Sequence, residues 1–218
     1  MTAGPAPPTP VPAAAWQFRL WHLFALTAVV AVAAGLARAV GPGVLPLALG
    51  VAMLGGHAAG LFRPLAQGRI QTAIFLAAWV LFLASLALPA IVIFQDPVRG
   101  GALAWFVLVG ALPHAARDMQ WFALSYMAAL DLANGLAAAL PLVAGRLRQG
   151  RGQILVWLVC IAAPSTWVIM DRGQHLYVGY YLWCASFLAV LAALPLSRGH
   201  IAVSLALAAY FNTVENWG

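Results

Sequence analysis

The sequence predicts an all-α polytopic membrane protein, a bundle of six spanning helices with short apolar or interfacial helices beside them. Three observations carry this expectation. Of the 218 residues, 64% are hydrophobic and only 7% charged, whereas a soluble domain carries about 25% charged residues to coat its surface. Apolar runs of 18 to 24 residues alternate with short polar connections, and such runs, as helices, reach about 27 to 36 Å, enough to cross a hydrocarbon layer. The charges gather in the connections, where they act as a topology signal.

Residues 1–15, "MTAGPAPPTPVPAAA", hold five prolines and no core-forming pattern, which predicts a disordered tail. Residues 16–218 are expected to form a single transmembrane helical domain. Its first span, 20–37, follows Arg19 and the bulky "WHLF", features that suit a retained anchor better than a cleaved leader. The second span, 44–62, is set off by Gly41, Pro42 and Gly43. The third, 71–94, stops at "QDPVRGG". The remaining spans are 121–144, 153–170 and 176–196. Pro46, Pro89, Pro141 and Pro164 fall inside spans and predict kinks.

Two apolar segments are shorter, 102–116 and 201–211. Arginine counting decides the first. If 102–116 does not cross, a cytoplasmic N-terminus leaves seven of the eleven Arg inside (19, 63, 69, 146, 148, 151, 198) and four outside. If it crosses, the count becomes five inside and six outside, against the positive-inside tendency. Six spans with both termini cytoplasmic is therefore the expected topology, in a membrane of the bacterial inner-membrane type. Trp16, Trp21, Trp121, Trp167, Tyr177, Tyr180 and Tyr181 lie at span edges, the headgroup level that amphipathic rings prefer. Trp79, Trp157 and Trp183 sit deeper and read as packing, as does the face formed by Tyr180, Trp183, Phe187 and Leu191.

Composition also excludes classes. There is no Lys, so no retinal Schiff base can form, and no basic run with interleaved aromatics points to nucleic acid. Cys160 and Cys184 lie in apolar runs and read as small hydrophobes, with neither a disulfide nor a zinc-type spacing expected. Hydrolase and phosphate-loop motifs are absent, and Ser165 or Ser186 would need a distant His to make a nucleophile. The chain is thus expected to be non-enzymatic, with the lipid bilayer, a protein partner or a second copy of itself as its partners, and with no cofactor favoured.

The polar residues inside the spans are few. Asp131 lies ten residues into the fourth span, about 15 Å from its start, and Asn134 at i+3 shares its face. A mid-membrane carboxylate is costly and must face the bundle, either as a titrating site for proton or cation transport or as glue between helices, with Ser85, Ser165 or Thr166 as partners. Glue is the preferred expectation, because no second intramembrane charge accompanies Asp131. On the outer side, "HAARD" and "DRGQH" place His114 with Asp118, and Asp171 with His175, at i and i+4. Two imidazoles and two carboxylates can make a zinc-like site, although Arg117 and Arg172 beside the acids suit ordinary ion pairs. On the inner side, His57 in "LGGHAAG" and His22 lie at similar depth and would be the ligands of a haem. The small residues around His57 more simply allow close helix packing.

Overall fold

The structure is a computed structural model that describes residues 27–28, 31–32, 34–39, 41–66, 68–93, 96–111, 113, 121–148, 152–168 and 176–215. The proline-rich tail, His22, His114, Asp118, Asp171 and His175 lie outside the described residues. So does most of the first expected span, of which residues 27–28, 31–32 and 34–37 are described and helical.

The described chain is mostly helical. Its elements in order are α1 (Leu45–Ala58), α2 (Gly68–Ala87), a two-stranded hairpin of β1 (Pro89–Ile93) and β2 (Asp96–Arg99), α3 (Gly100–Phe106), α4 (Trp121–Ala138), α5 (Leu140–Arg148), α6 (Gln153–Ala162), α7 (Val178–Ala192) and α8 (Arg198–Glu215). Helix α3 runs on into a π-helical turn at Val107–Ala111, and α6 into a 3-10 turn at Ala163–Trp167.

Helix α2 is long and apolar enough to cross a membrane, and α4 with the start of α5 adds a second such segment if the bent pair is one span. The second, fifth and sixth expected spans correspond to shorter helices. The prolines explain much of this shortening. Pro141 lacks an N–H and crowds the carbonyl of Ala137, and the chain turns by 79° between Trp121–Ala138 and Leu140–Arg146. Pro164 tightens the end of the fifth run into the 3-10 turn rather than bending a continuous helix. Pro46 sits in the first turn of α1, where a missing N–H costs nothing, so the kink expected there does not form.

The mostly helical architecture agrees with the all-α expectation, with one local exception. The last part of the third expected span is not helix but β1, paired antiparallel with β2 in the register Ile91↔Val98 and Ile93↔Asp96. Pro89 disfavours helical geometry at Leu88 and ends α2, after which the β-branched run "IVI" suits a strand. The segment expected at 201–211 is the middle of the longer helix α8.

Helix α2 is apolar over far more of its surface than it buries. Gln71, Phe75, Ala78, Phe82 and Ser85 form one buried stripe at alternating spacings of four and three. Its other faces expose Ile70, Leu76, Val80 and Leu83, and only 28% of its apolar window is buried. A helix apolar all round but buried on one stripe only is what a bilayer accommodates and water does not. The buried stripe packs chiefly on α7, the most extensive helix pairing in the molecule.

Trp167 departs from its expected interfacial place. It is fully buried in the main core with Leu54 and Leu191, and it lies so flat against α1 that a Cβ on Gly50 would stand 2.5 Å from its ring. Trp121 and Tyr177 are exposed, as interfacial rings would be, whereas Tyr180 is buried.

Candidate functional site

Helix α4 carries Met127, Asp131 and Asn134 along one side, and the structure separates their roles. Asn134 Oδ1 accepts a hydrogen bond from the Trp183 indole N–H on α7 at 2.9 Å. Asp131 is half-buried, with its Oδ2 enclosed and without a hydrogen-bond partner among the described residues. The partners expected for it are engaged elsewhere: Ser85, Ser165 and Thr166 donate to the carbonyls of Phe82, Ala162 and Ala163 at 2.6, 2.7 and 2.7 Å. The amide, not the carboxylate, ties the helices together.

The Asn134–Trp183 pair borders a cavity of about 200 Å³. Its walls come from the end of α2 (Ser85, Leu86), the hairpin (Ala90, Ile91), α3 and its π-helical turn (Leu103, Val107), α4 (Met127, Leu130) and the first turns of α7 (Gly179, Tyr180). The site follows from local sequence. Gly179 lets α7 start directly against the hairpin, since a Cβ there would stand 2.6 Å from the Pro89 carbonyl oxygen. Tyr177 N–H donates to Ala90 O at 2.9 Å and fixes that junction. Gly100 in turn brings α3 against the backbone of Ser85, a contact no larger residue permits. Three short or interrupted elements thus meet where regular helices would have interlocked, and a π-helical turn lies in the wall, as such turns often do at functional sites.

The cavity is mostly apolar, and its polar side chains are largely engaged by the protein. Ser85 donates within its own helix. The Tyr180 hydroxyl donates to Val168 O at 3.2 Å, and its ring meets Trp183 at 6.1 Å. Sequence reasoning took Trp183 for packing alone. Nothing in the spacing marks the indole N–H as the partner of Asn134, because the two residues are 49 positions apart.

His57 is held by the fold. Its Nε2 bonds the Leu191 carbonyl at 2.9 Å, which requires the proton on that nitrogen, and its ring lies 4.8 Å from Phe62. A Cβ on Gly56 would meet Phe62 at 2.5 Å, so that small residue makes room for a phenyl ring. Two residues further, just past the end of α7, the Ala193 carbonyl accepts from Gln71 Nε2 at 2.8 Å. Sequence reasoning missed Gln71, a buried amide in the first turn of α2.

It placed His200 near the inner boundary but missed its capping role. Ser197 caps α8: its Oγ accepts from His200 N–H at 3.4 Å, while His200 Nδ1 reaches back to Ser197 N–H at 3.0 Å and Ser197 Oγ at 2.8 Å. This is a capping box with imidazole in place of Glu or Gln, and "SRGH" before the apolar run 201–211 was its signal. The ring stacks on Trp157 at 4.1 Å, and burial holds the imidazole below its ordinary pKa.

Among the described residues no group of three or more His, Cys, Asp or Glu is placed to hold a metal ion. Cys160 and Cys184 are buried free thiols, and Cys184 bonds the Thr166 carbonyl at 3.2 Å. Comparison with known protein families, with curated proteins and with solved structures finds no match to this chain.

Proposed function

We propose that this chain is a multi-span, non-enzymatic integral membrane protein that holds a small apolar molecule in the cavity between α3, α4, α7 and the hairpin. The observation that carries the reading is the cavity itself, about 200 Å³ and walled largely by apolar side chains. An engineered apolar cavity of about 150 Å³ stays dry and takes up benzene. The membrane part of the reading is supported by the exposed apolar surface, with Leu142 at 83%, Ile154 at 77% and Trp121 at 70% exposure, a surface that water would disfavour. Six spans with both termini cytoplasmic remain the topology that the arginine distribution favours.

The test is fluorobenzene binding followed by fluorine NMR, on protein carried in lipid discs, with Ala104→Leu as the comparison. Ala104 lines the cavity, and the larger side chain takes up part of the space that a ring would need. Bound fluorobenzene in the parent and its loss in Ala104→Leu is the expected result. Equal signals from both proteins would mean that the probe only partitions into lipid, and the reading would fall.

A second reading is favoured by one observation, the enclosed Asp131 Oδ2 without a partner. Intramembrane carboxylates of this kind serve proton- or cation-coupled transport. Proton flux in proteoliposomes that disappears in a folded Asp131→Asn protein would establish this second role; undiminished flux, or none in the parent, removes it.

A further inference from the structure

We infer that the cavity selects a single-ring-sized apolar molecule bearing one hydrogen-bond acceptor, such as a ketone or ester carbonyl, and that Asn134 makes the selection. The inference rests on the small-molecule reading above and adds the chemistry of the ligand.

Trp183 sets the orientation of the Asn134 amide. An indole N–H can only donate, so the atom it meets on Asn134 at 2.9 Å is the amide oxygen. That bond fixes the orientation of the amide and assigns the opposite end to the NH2 group. The Asn134 nitrogen has no hydrogen-bond partner among the described residues, and Asn134 belongs to the cavity wall. On the same wall, the donors of Ser85, Tyr180 and Trp183 are already directed at Phe82, Val168 and Asn134, and Tyr126 is the remaining side chain with a polar group. A ligand carbonyl placed in the cavity therefore meets an oriented donor. A pure hydrocarbon of the same size leaves that donor unmatched in an apolar space, which is unfavourable. The site thus distinguishes two molecules of equal shape by one oxygen atom.

The pair that tests this is ethylbenzene and acetophenone, close in shape and differing in the carbonyl. Each competes against fluorobenzene on the full chain in lipid discs, with concentrations corrected for partition into empty discs. In the parent, acetophenone should displace the probe at a concentration roughly three- to tenfold lower than ethylbenzene, the ratio one net hydrogen bond supplies. Asn134→Leu should bring the ratio to about one. Trp183→Phe keeps an aromatic wall but releases the amide to turn, and it should lower the ratio while ethylbenzene still binds, so it carries the test if the Leu variant does not fold. Equal displacement by both compounds in the parent overturns the selection by Asn134 and leaves the small-molecule reading in place. Absence of bound fluorobenzene in the parent overturns both.

Discussion

The two ends of α7 are built to opposite purposes. At its C-terminal end Leu191, Ala193 and Leu194 are fully buried, and the carbonyls of Leu191 and Ala193 are satisfied by His57 from α1 and Gln71 from α2. At its N-terminal end Gly179, Tyr180 and Trp183 face the cavity. The difference comes from the neighbours. Two regular helices pack on one end and fill it; a hairpin, a π-helical turn and a broken helix meet at the other and cannot. Stability concentrates at the filled end, and space to receive something remains at the other.

The sharpest way to break this comparison is at the filled end. Leu191→Ala removes a fully buried side chain, and should cost about 3 kcal/mol. Chemical unfolding in detergent micelles should show the loss, while fluorobenzene binding by the folded fraction stays as in the parent. Loss of binding in step with stability would mean that the two ends are not separate. Gln71→Leu has a smaller effect. It leaves the Ala193 carbonyl without its donor but also removes the enclosed Gln71 Oε1, which has no partner among the described residues. The net loss should be about 1 kcal/mol, measured in the same way; a loss as large as that of Leu191→Ala would make the amide more than a helix tie.

The smallest effect is a pH dependence just beyond the filled end, at the cap of α8. His200 accepts a hydrogen bond at Nδ1 only while neutral, and burial lowers its pKa in the fold. The unfolded chain therefore binds the proton more readily, so the contribution of the cap is complete above about pH 6.5 and declines as the pH falls through that value toward the lower folded pKa. A positive charge at a helix N-terminus acts in the same direction. The described titratable groups on the helices packed against α8 are His57 on α1, Cys160 on α6 and Tyr126 and Asp131 on α4, with Arg198 and Tyr210 on α8 itself. His200→Gln isolates the contribution of the cap, because Gln keeps the reach-back acceptor without titrating. The melting temperature of the parent should fall between pH 7 and pH 5 more than that of His200→Gln; parallel curves would remove His200 as the source.

The sequence made some of this legible. The start of α4 at Trp121 and the break near Pro141 follow from local rules, as does the helical character of most of the chain. The hairpin was hidden because "LPAIVIF" is as apolar as a span, and periodicity cannot separate a buried strand from a helix in so short a run. The burial of Trp167 was hidden because its slot depends on Gly50, over a hundred residues away. At the candidate site, Asn134 was legible as a polar residue on the Asp131 face. Its partner was not, and with the partner missing the carboxylate looked like the tie between helices.

The 79° turn after α4 also bears on the surrounding lipid. Helix α4 has 18 residues and α2 has 20, lengths of about 27 and 30 Å. As proposed spans they match a hydrocarbon layer at or slightly below average thickness, and a thicker membrane would have to thin beside α4 or make it stand upright. Were the chain to continue straight through Ala139, the same helix would lengthen into Leu140–Arg148 and demand a thicker bilayer. If α4 is a span, as proposed, the turn at Pro141 works as a gauge: it sets which membranes the protein occupies without deforming them.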